Sequence, residues 1–225
     1  MIYKQKKAQK GPSWLEVGFG AAFSVVLGVL LGAAYLATKT VQTVKEIPKD
    51  APSGAVYYIE GKTEFYKDAV ITEKRRDLTD GQTITVSEGE LNAFIGSLSK
   101  PSAPAKSGDK AAPAGQKALD TGMLNVRING GKIQFSDTVT YNVLGVNGSL
   151  IIQATGVFSK HGSVFQFDPE SIYAGGCPVQ RLPFLKDWVL KKFLFVQAVP
   201  DDIAAAWSKL ADVSIDGSTL RLRMP

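Results

Sequence analysis

The sequence predicts an α+β protein in which one N-terminal transmembrane helix precedes a single domain, an antiparallel β-meander packed against amphipathic helices. Three observations carry that reading. Val17 to Ala37 is free of charge. Residues 124–173 alternate apolar and polar side chains between turn signals, which is the period of a half-buried strand. Segments on either side of that stretch, 87–98 and 182–210, instead repeat apolar residues at helical spacing.

The uncharged stretch covers 21 residues, enough to cross roughly 30 Å of hydrocarbon at about 1.5 Å per residue. Trp14 and Tyr35 stand near its ends, where amphipathic rings settle among headgroups. Lys4, Lys6, Lys7 and Lys10 outweigh Lys39 and Lys45 beyond the span, so the positive-inside rule puts the N-terminus in the cytoplasm and the domain outside. A cleaved signal peptide would have a shorter apolar core and a better small-residue site than Gly32-Ala33-Ala34, so a retained anchor is expected. Within the span Gly20, Ser24, Gly28 and Gly32 recur every fourth residue. Such a stripe lets a second helix approach closely, either another copy or a different membrane protein, although glycine is also simply common in membrane helices.

The expected organisation is a cytoplasmic tail over 1–13, the membrane helix over 14–37, a stalk over 38–53 and an extracytoplasmic domain over 54–225. Pro48 and Pro52 mark the stalk. Residues 99–117, rich in Pro, Ala, Ser, Gly and Lys, contain no large apolar side chain and are expected to be a disordered insertion.

In the domain, Ala55 to Ile59 reads as a short strand and Lys62 to Asp77 is ambiguous, with helix preferred. Thr83 to Val86 is a β-branched stretch, after which Ser87 and Glu90 form a capping box ahead of Leu91, Phe94, Ile95 and Leu98. The meander follows, with turns expected at Gly130-Gly131 and Asn147-Gly148 and strands at Val164–Phe167 and Ser171–Tyr173. Leu182 to Phe195 shows a polar stripe of Lys186, Asp187, Lys191 and Lys192, with Leu185, Trp188, Val189 and Phe193 lying away from it. Pro200 starts a last helix carrying Ile203, Trp207 and Leu210, and a hairpin turning at Asp216-Gly217 ends the chain.

Little in the sequence suggests chemistry. The tail and span hold +3 of the net charge of +5, leaving the domain nearly neutral, and Lys74-Arg75-Arg76 is followed at once by Asp77, so nucleic-acid binding is not expected. His161 is the one histidine and Cys177 the one cysteine, so neither an internal disulfide nor a His/Cys metal cluster is available. His161 reads as a turn residue with no nucleophile beside it, and neither enzymatic activity nor a cofactor is expected.

Three pieces carry a resemblance: Thr83 to Asn92, with its strand, Glu and Leu-Asn pair; Gly175 to Pro183, GGCPVQRLP; and the closing run Val213-x-Ile-x-Gly217-x-x-Leu220-x-Leu222. Together they resemble the YpmS-like bacterial membrane-anchored proteins and, distantly, the tubular lipid-binding superfamily. The resemblance implies a curved antiparallel sheet wrapped on helices, with an apolar groove that accepts a lipid chain, at the bacterial inner membrane. The expectation is a non-catalytic, lipid- or apolar-ligand-binding domain of the cell envelope, with Phe184, Trp188 and Phe193 as ligand-contacting candidates unless they serve the core. The alternative is a scaffold or accessory subunit of an envelope complex.

Replacing Gly28 and Gly32 together with Leu is expected to weaken self-association of the membrane helix in a bilayer two-hybrid or energy-transfer assay. Leu30→Ala, off the stripe, serves as the unaffected control.

Overall fold

A computed structural model describes residue 11 and residues 13–39, 41–52, 54–63, 66, 68–98, 119–143, 146–182, 185–195 and 199–225. Most of the expected tail, the insertion 99–117 and Phe184 lie outside the described residues. The described chain is mixed α+β, with one apolar N-terminal helix and antiparallel sheets.

Helix α1 runs Trp14–Thr38 and opens on a capping box in which the Ser13 N–H donates to Glu16 Oε2 at 2.8 Å. At 25 residues it is long and apolar enough to cross a membrane, and none of its residues is buried. Its C-terminal end nevertheless meets the rest of the protein. The Gly176 N–H donates to Leu36 O at 3.0 Å, and a Cβ on Gly175 (φ +57°) would fall 2.1 Å from Ala37 O. Within the stretch expected as a stalk, β1 (Gln42–Thr43) pairs in parallel with β2 (Tyr57–Tyr58).

Helix α2 (Asp68–Thr79) begins in the region read as ambiguous, runs two residues past its expected end at Asp77 and stops at Gly81 (φ +83°), whose N–H bonds Leu78 O. Strand β3 (Ile84–Ser87) passes directly into α3 (Glu88–Leu98). The expected capping box is present: Glu90 N–H to Ser87 Oγ at 3.3 Å, Ser87 N–H to Glu90 Oε2 at 2.8 Å.

The large sheet has the order β4-β6-β7-β8-β9 with β5 also on β6, where the strands are β4 (Leu119–Thr121), β5 (Asn125–Asn129), β6 (Lys132–Val143), β7 (Val146–His161), β8 (Val164–Ala174) and β9 (Cys177–Pro178). Gly130 and Gly131, both at positive φ, make the β5–β6 turn as expected. Asn147-Gly148 is not a turn. Asn147 pairs with Asn142 and Gly148 with Tyr141, inside the β6–β7 ladder. The glycine serves packing there, since a Cβ at Gly148 would sit 2.3 Å from the Tyr141 hydroxyl, which crosses over it. The two strands expected over 164–173 are one strand, with a register shift near Gly156; a Cβ on Gly156 would lie 2.1 Å from Asp168 O.

A single 3₁₀ turn, Val179–Arg181, leads to α4 (Leu185–Val189), which widens into a π-helical turn over Leu190–Leu194 closed by Phe195 N–H to Leu190 O at 2.9 Å. That widening adds Leu190 and Leu194 to the inward set and leaves Trp188, expected inward, half exposed. After α5 (Asp201–Trp207), strands β10 (Asp212–Asp216) and β11 (Thr219–Arg223) form the expected hairpin. Strand β3 then joins β11, so the chain builds a separate three-stranded sheet, β10-β11-β3, rather than one continuous sheet.

The register puts Ile133, Phe135, Val139, Ile152, Ala154 and Ile172 on one face of the large sheet. That face carries two apolar clusters. At one end Val139, Ile152 and Ile172 pack under Val189, Leu190 and Phe193. At the other, Val126 and Ile133 pack with Leu210, Leu220 and Leu222. Phe135 and Phe167 touch both clusters and stack edge-on at 4.9 Å.

The β5 edge is held by side chains. Asn92 accepts from Val126 N–H and donates to Val126 O, both at 2.7 Å, while Glu88 Oε2 accepts from Ile128 N–H at 2.7 Å. Asn92→Ala orphans a buried backbone donor and acceptor, and is expected to cost about 3 kcal/mol in a urea titration at constant m-value. Ser97→Ala, on the exposed side of the same helix, should leave the midpoint nearly unchanged.

Candidate functional site

Between the two sheets and the helices lies a cavity of about 680 Å³. The large sheet supplies Ile133, Phe135 and Phe158, the small sheet Val86, Leu220 and Leu222, α3 Leu91, Phe94, Ile95 and Leu98, and the C-terminal segment Leu194, Phe195, Ile203 and Trp207. The volume falls in the range of small-molecule sites, which are mostly apolar with a few placed polar groups.

Aromatic rings form one wall, Phe135 meeting Phe195 at 5.6 Å and Phe158 meeting Trp207 at 5.3 Å, all edge-on. Trp207 is fixed by donating its indole N–H to Phe165 O at 2.8 Å. Phe195 and Val199 line the cavity yet keep 43% and 58% of their surface accessible.

The charged side chains of the lining are Lys74, Arg75 and Glu90, and all three are engaged. Lys74 Nζ donates to Glu90 Oε2 at 2.8 Å and to Thr85 O, and Arg75 grips Asp202 with two bonds of 2.7 Å. These pairs tie α2 across to α3 and to α5. Burial works to raise the Glu90 pKa, but the hydrogen bonds from Lys74 and Ser87 outweigh it and hold the carboxyl below its ordinary value. The Arg75 hydrogen bond lowers Asp202 in the same direction, in an exposed setting. The rim thus presents compensated charge, and the interior presents hydrocarbon.

Two of the three apolar-ligand candidates stand elsewhere. Trp188 is 50% exposed on the surface, its ring edge-on to Phe193 at 5.3 Å, and Phe193 is buried in the cluster under α4. Neither lines the cavity, and Phe184 lies outside the described residues. Gly20, Ser24, Gly28 and Gly32 are all exposed along α1, with Ser24 Oγ donating to Gly20 O at 2.8 Å. The residues that do line the cavity were visible in the sequence as the apolar faces of α3 and α5, but no local signal says that facing surfaces stay apart.

His161 does have a hydroxyl neighbour, contrary to expectation: Ser159 Oγ lies 2.9 Å from its Nε2, because residues two apart share a strand face. The pair sits on an exposed hairpin and is not part of the cavity. Cys177 is buried, which pushes its thiol pKa up. Among the described residues no cluster of His, Cys, Asp and Glu could hold a metal ion. No family model, curated protein or solved structure matches this chain.

The carboxylates paired with Lys74 and Arg75, Glu90 and Asp202, both have depressed pKa values, so their contribution is complete above the ordinary carboxylate range and is lost as pH falls through and below about 4. Hydrogen exchange in α2, corrected for intrinsic rates, should accelerate in that window and stay flat from about pH 6 to 8. Salt should loosen the exposed Arg75–Asp202 pair more than the partly buried Lys74–Glu90 pair.

Proposed function

We propose that the chain is a membrane-anchored, non-catalytic domain that holds one acyl chain, or a ligand of similar apolar character, in the cavity between its sheets. The observation that carries this reading is an apolar space of about 680 Å³ whose charged lining groups are already paired, Lys74 with Glu90 and Arg75 with Asp202. Such a site has no unspent charge to seize an ion, and it gains free energy by covering hydrocarbon, at about 25 cal/mol per Å². The helix α1, with no buried residue along its length, supports anchoring in a bilayer as a single span. The lysine-rich tail favours a cytoplasmic N-terminus and an extracytoplasmic domain. The resemblance to YpmS-like and tubular lipid-binding proteins points the same way.

The uncovered small-residue stripe of α1 supports a second reading, an accessory subunit that docks a partner helix there. The two readings are separable by what copurifies, an extracted lipid or a stoichiometric protein.

Residues 41–225, once shown to melt cooperatively, should carry an acyl-chain ligand in native mass spectra or take up a fluorescent fatty-acid analogue. Leu124→Trp with Ala204→Trp, which adds bulk to two lining positions, should reduce uptake at least about tenfold while the melt is retained. A ligand-free domain that also ignores offered acyl chains would remove the proposal. Trp188 lies outside the cavity, so Trp188→Phe should leave uptake unchanged.

A further inference from the structure

Helix α4 and its π-helical turn cover a particular end of the large sheet. The residues beneath them include Val139, Leu150, Ile152 and Ala174. The same end carries the turn that meets α1: Gly175 N–H bonds Ile151 O at 2.8 Å, and Gly176 N–H bonds Leu36 O at 3.0 Å. Sheet positions under α4 are therefore immediate neighbours of the positions that meet the last turn of the apolar helix. With 25 residues α1 is about 37 Å long, which exceeds a hydrocarbon core of about 30 Å, so its last turn falls among the headgroups. Helix α4 therefore packs on the end of the sheet that meets the last turn of α1.

That surface has the composition of an interfacial contact. Trp188 is held half out of the protein by its edge-on contact with Phe193. Lys191 and Lys192 are exposed beside it and share one shallow depression with Trp188 and Asp187. An amphipathic ring flanked by lysines settles at a headgroup layer, and lysines near a bilayer favour anionic lipids. The position also explains a large aromatic side chain left half exposed.

We propose that the Trp188–Lys191–Lys192 surface rests on anionic lipid headgroups of the bilayer that α1 enters. The proposal depends on the anchoring reading given above. It makes the membrane contact two-point, one helix and one surface, and so fixes how the domain stands on the bilayer. Leu194 and Phe195, the continuation of the same π-helical turn, line the cavity. The headgroup contact and the apolar site thus share one short element.

The test uses the full chain in phosphatidylcholine vesicles, with or without phosphatidylglycerol, prepared from ordinary or shallow-brominated phosphatidylcholine. Tryptophan emission is compared among the wild type, Trp14→Phe and Trp188→Phe, so that differences isolate each ring. Bromination is expected to quench both the Trp14 and the Trp188 contribution when phosphatidylglycerol is present. Lys191→Glu with Lys192→Glu should restore the Trp188 emission, lowering the contact population by roughly an order of magnitude. Quenching of Trp14 with an unquenched Trp188 would overturn the surface contact and leave the anchor standing. An unquenched Trp14 would remove the anchor, and this proposal with it. A Trp188 that escapes the brominated lipid in vesicles but is shielded from aqueous iodide in native membranes would assign the surface to a protein partner instead.

Discussion

The fold depends on a side-chain clasp at the β5 edge. An edge strand offers unpaired N–H and C=O groups, and a buried one must find partners for them. Here the partners come from the first turns of α3: Asn92 pairs with both polar groups of the Val126 peptide position, and Glu88 takes the Ile128 N–H. The same two side chains bind the Lys62 backbone, Glu88 at its N–H and Asn92 at its carbonyl, 2.9 Å away. Gly61 is needed for that approach, because a Cβ there would lie 1.9 Å from Val126 O. Three segments are thereby fixed at one point, and removing one polar partner would leave the others desolvated and unsatisfied.

The clasp also accounts for the cavity. It tethers α3 by its polar first turns, and Leu91, Phe94, Ile95 and Leu98 border the open space, with Leu91 and Ile95 also packed against the cluster of Val126, Ile128 and Ile133. On the opposite side α2 is held by ion pairs to Glu90 and Asp202 rather than by a continuous apolar face; Leu78 is its one buried residue. Lining side chains that meet no neighbour forgo dispersion energy. A protein that keeps such a space at the centre of its core gains stability when an apolar ligand fills it, by the linkage of binding to folding.

What was legible in the sequence was local. The Ser87–Glu90 capping box, the Gly130-Gly131 turn and the Asp216-Gly217 turn each rest on residues within one hydrogen-bonded turn, and each is present. Asn147-Gly148 misled because the same dipeptide suits a turn and, through glycine, a place where a Tyr ring must cross the ladder. Pairing of β3 with β11 joins residues more than a hundred positions apart, which no short-range pattern encodes. Trp188 follows the inward spacing of an ordinary α-helix, and the π-helical turn beyond it changes which side chains point in. In the sequence Asn92 stands out only as part of the Leu-Asn pair at the start of α3. Its role appears only when β5 is beside it.

The junction between α1 and the sheet bears on the anchoring proposed for this protein. A domain on a flexible tether samples many orientations, and its site then meets the bilayer only by chance. Here Leu36 and Ala37 abut Gly175 and Gly176, a Cβ at Gly175 would collide with Ala37 O, and β1 pairs in parallel with β2. Because α4 packs on the same end of the sheet and its π-helical turn reaches the cavity wall, the path from the last turn of α1 to the apolar site runs through packed structure throughout. A scaffold that served only to hold a partner helix would need the stripe on α1 but not this coupling. A site that exchanges hydrocarbon with a bilayer would need it, since a fixed stance keeps the short route between headgroups and cavity in place.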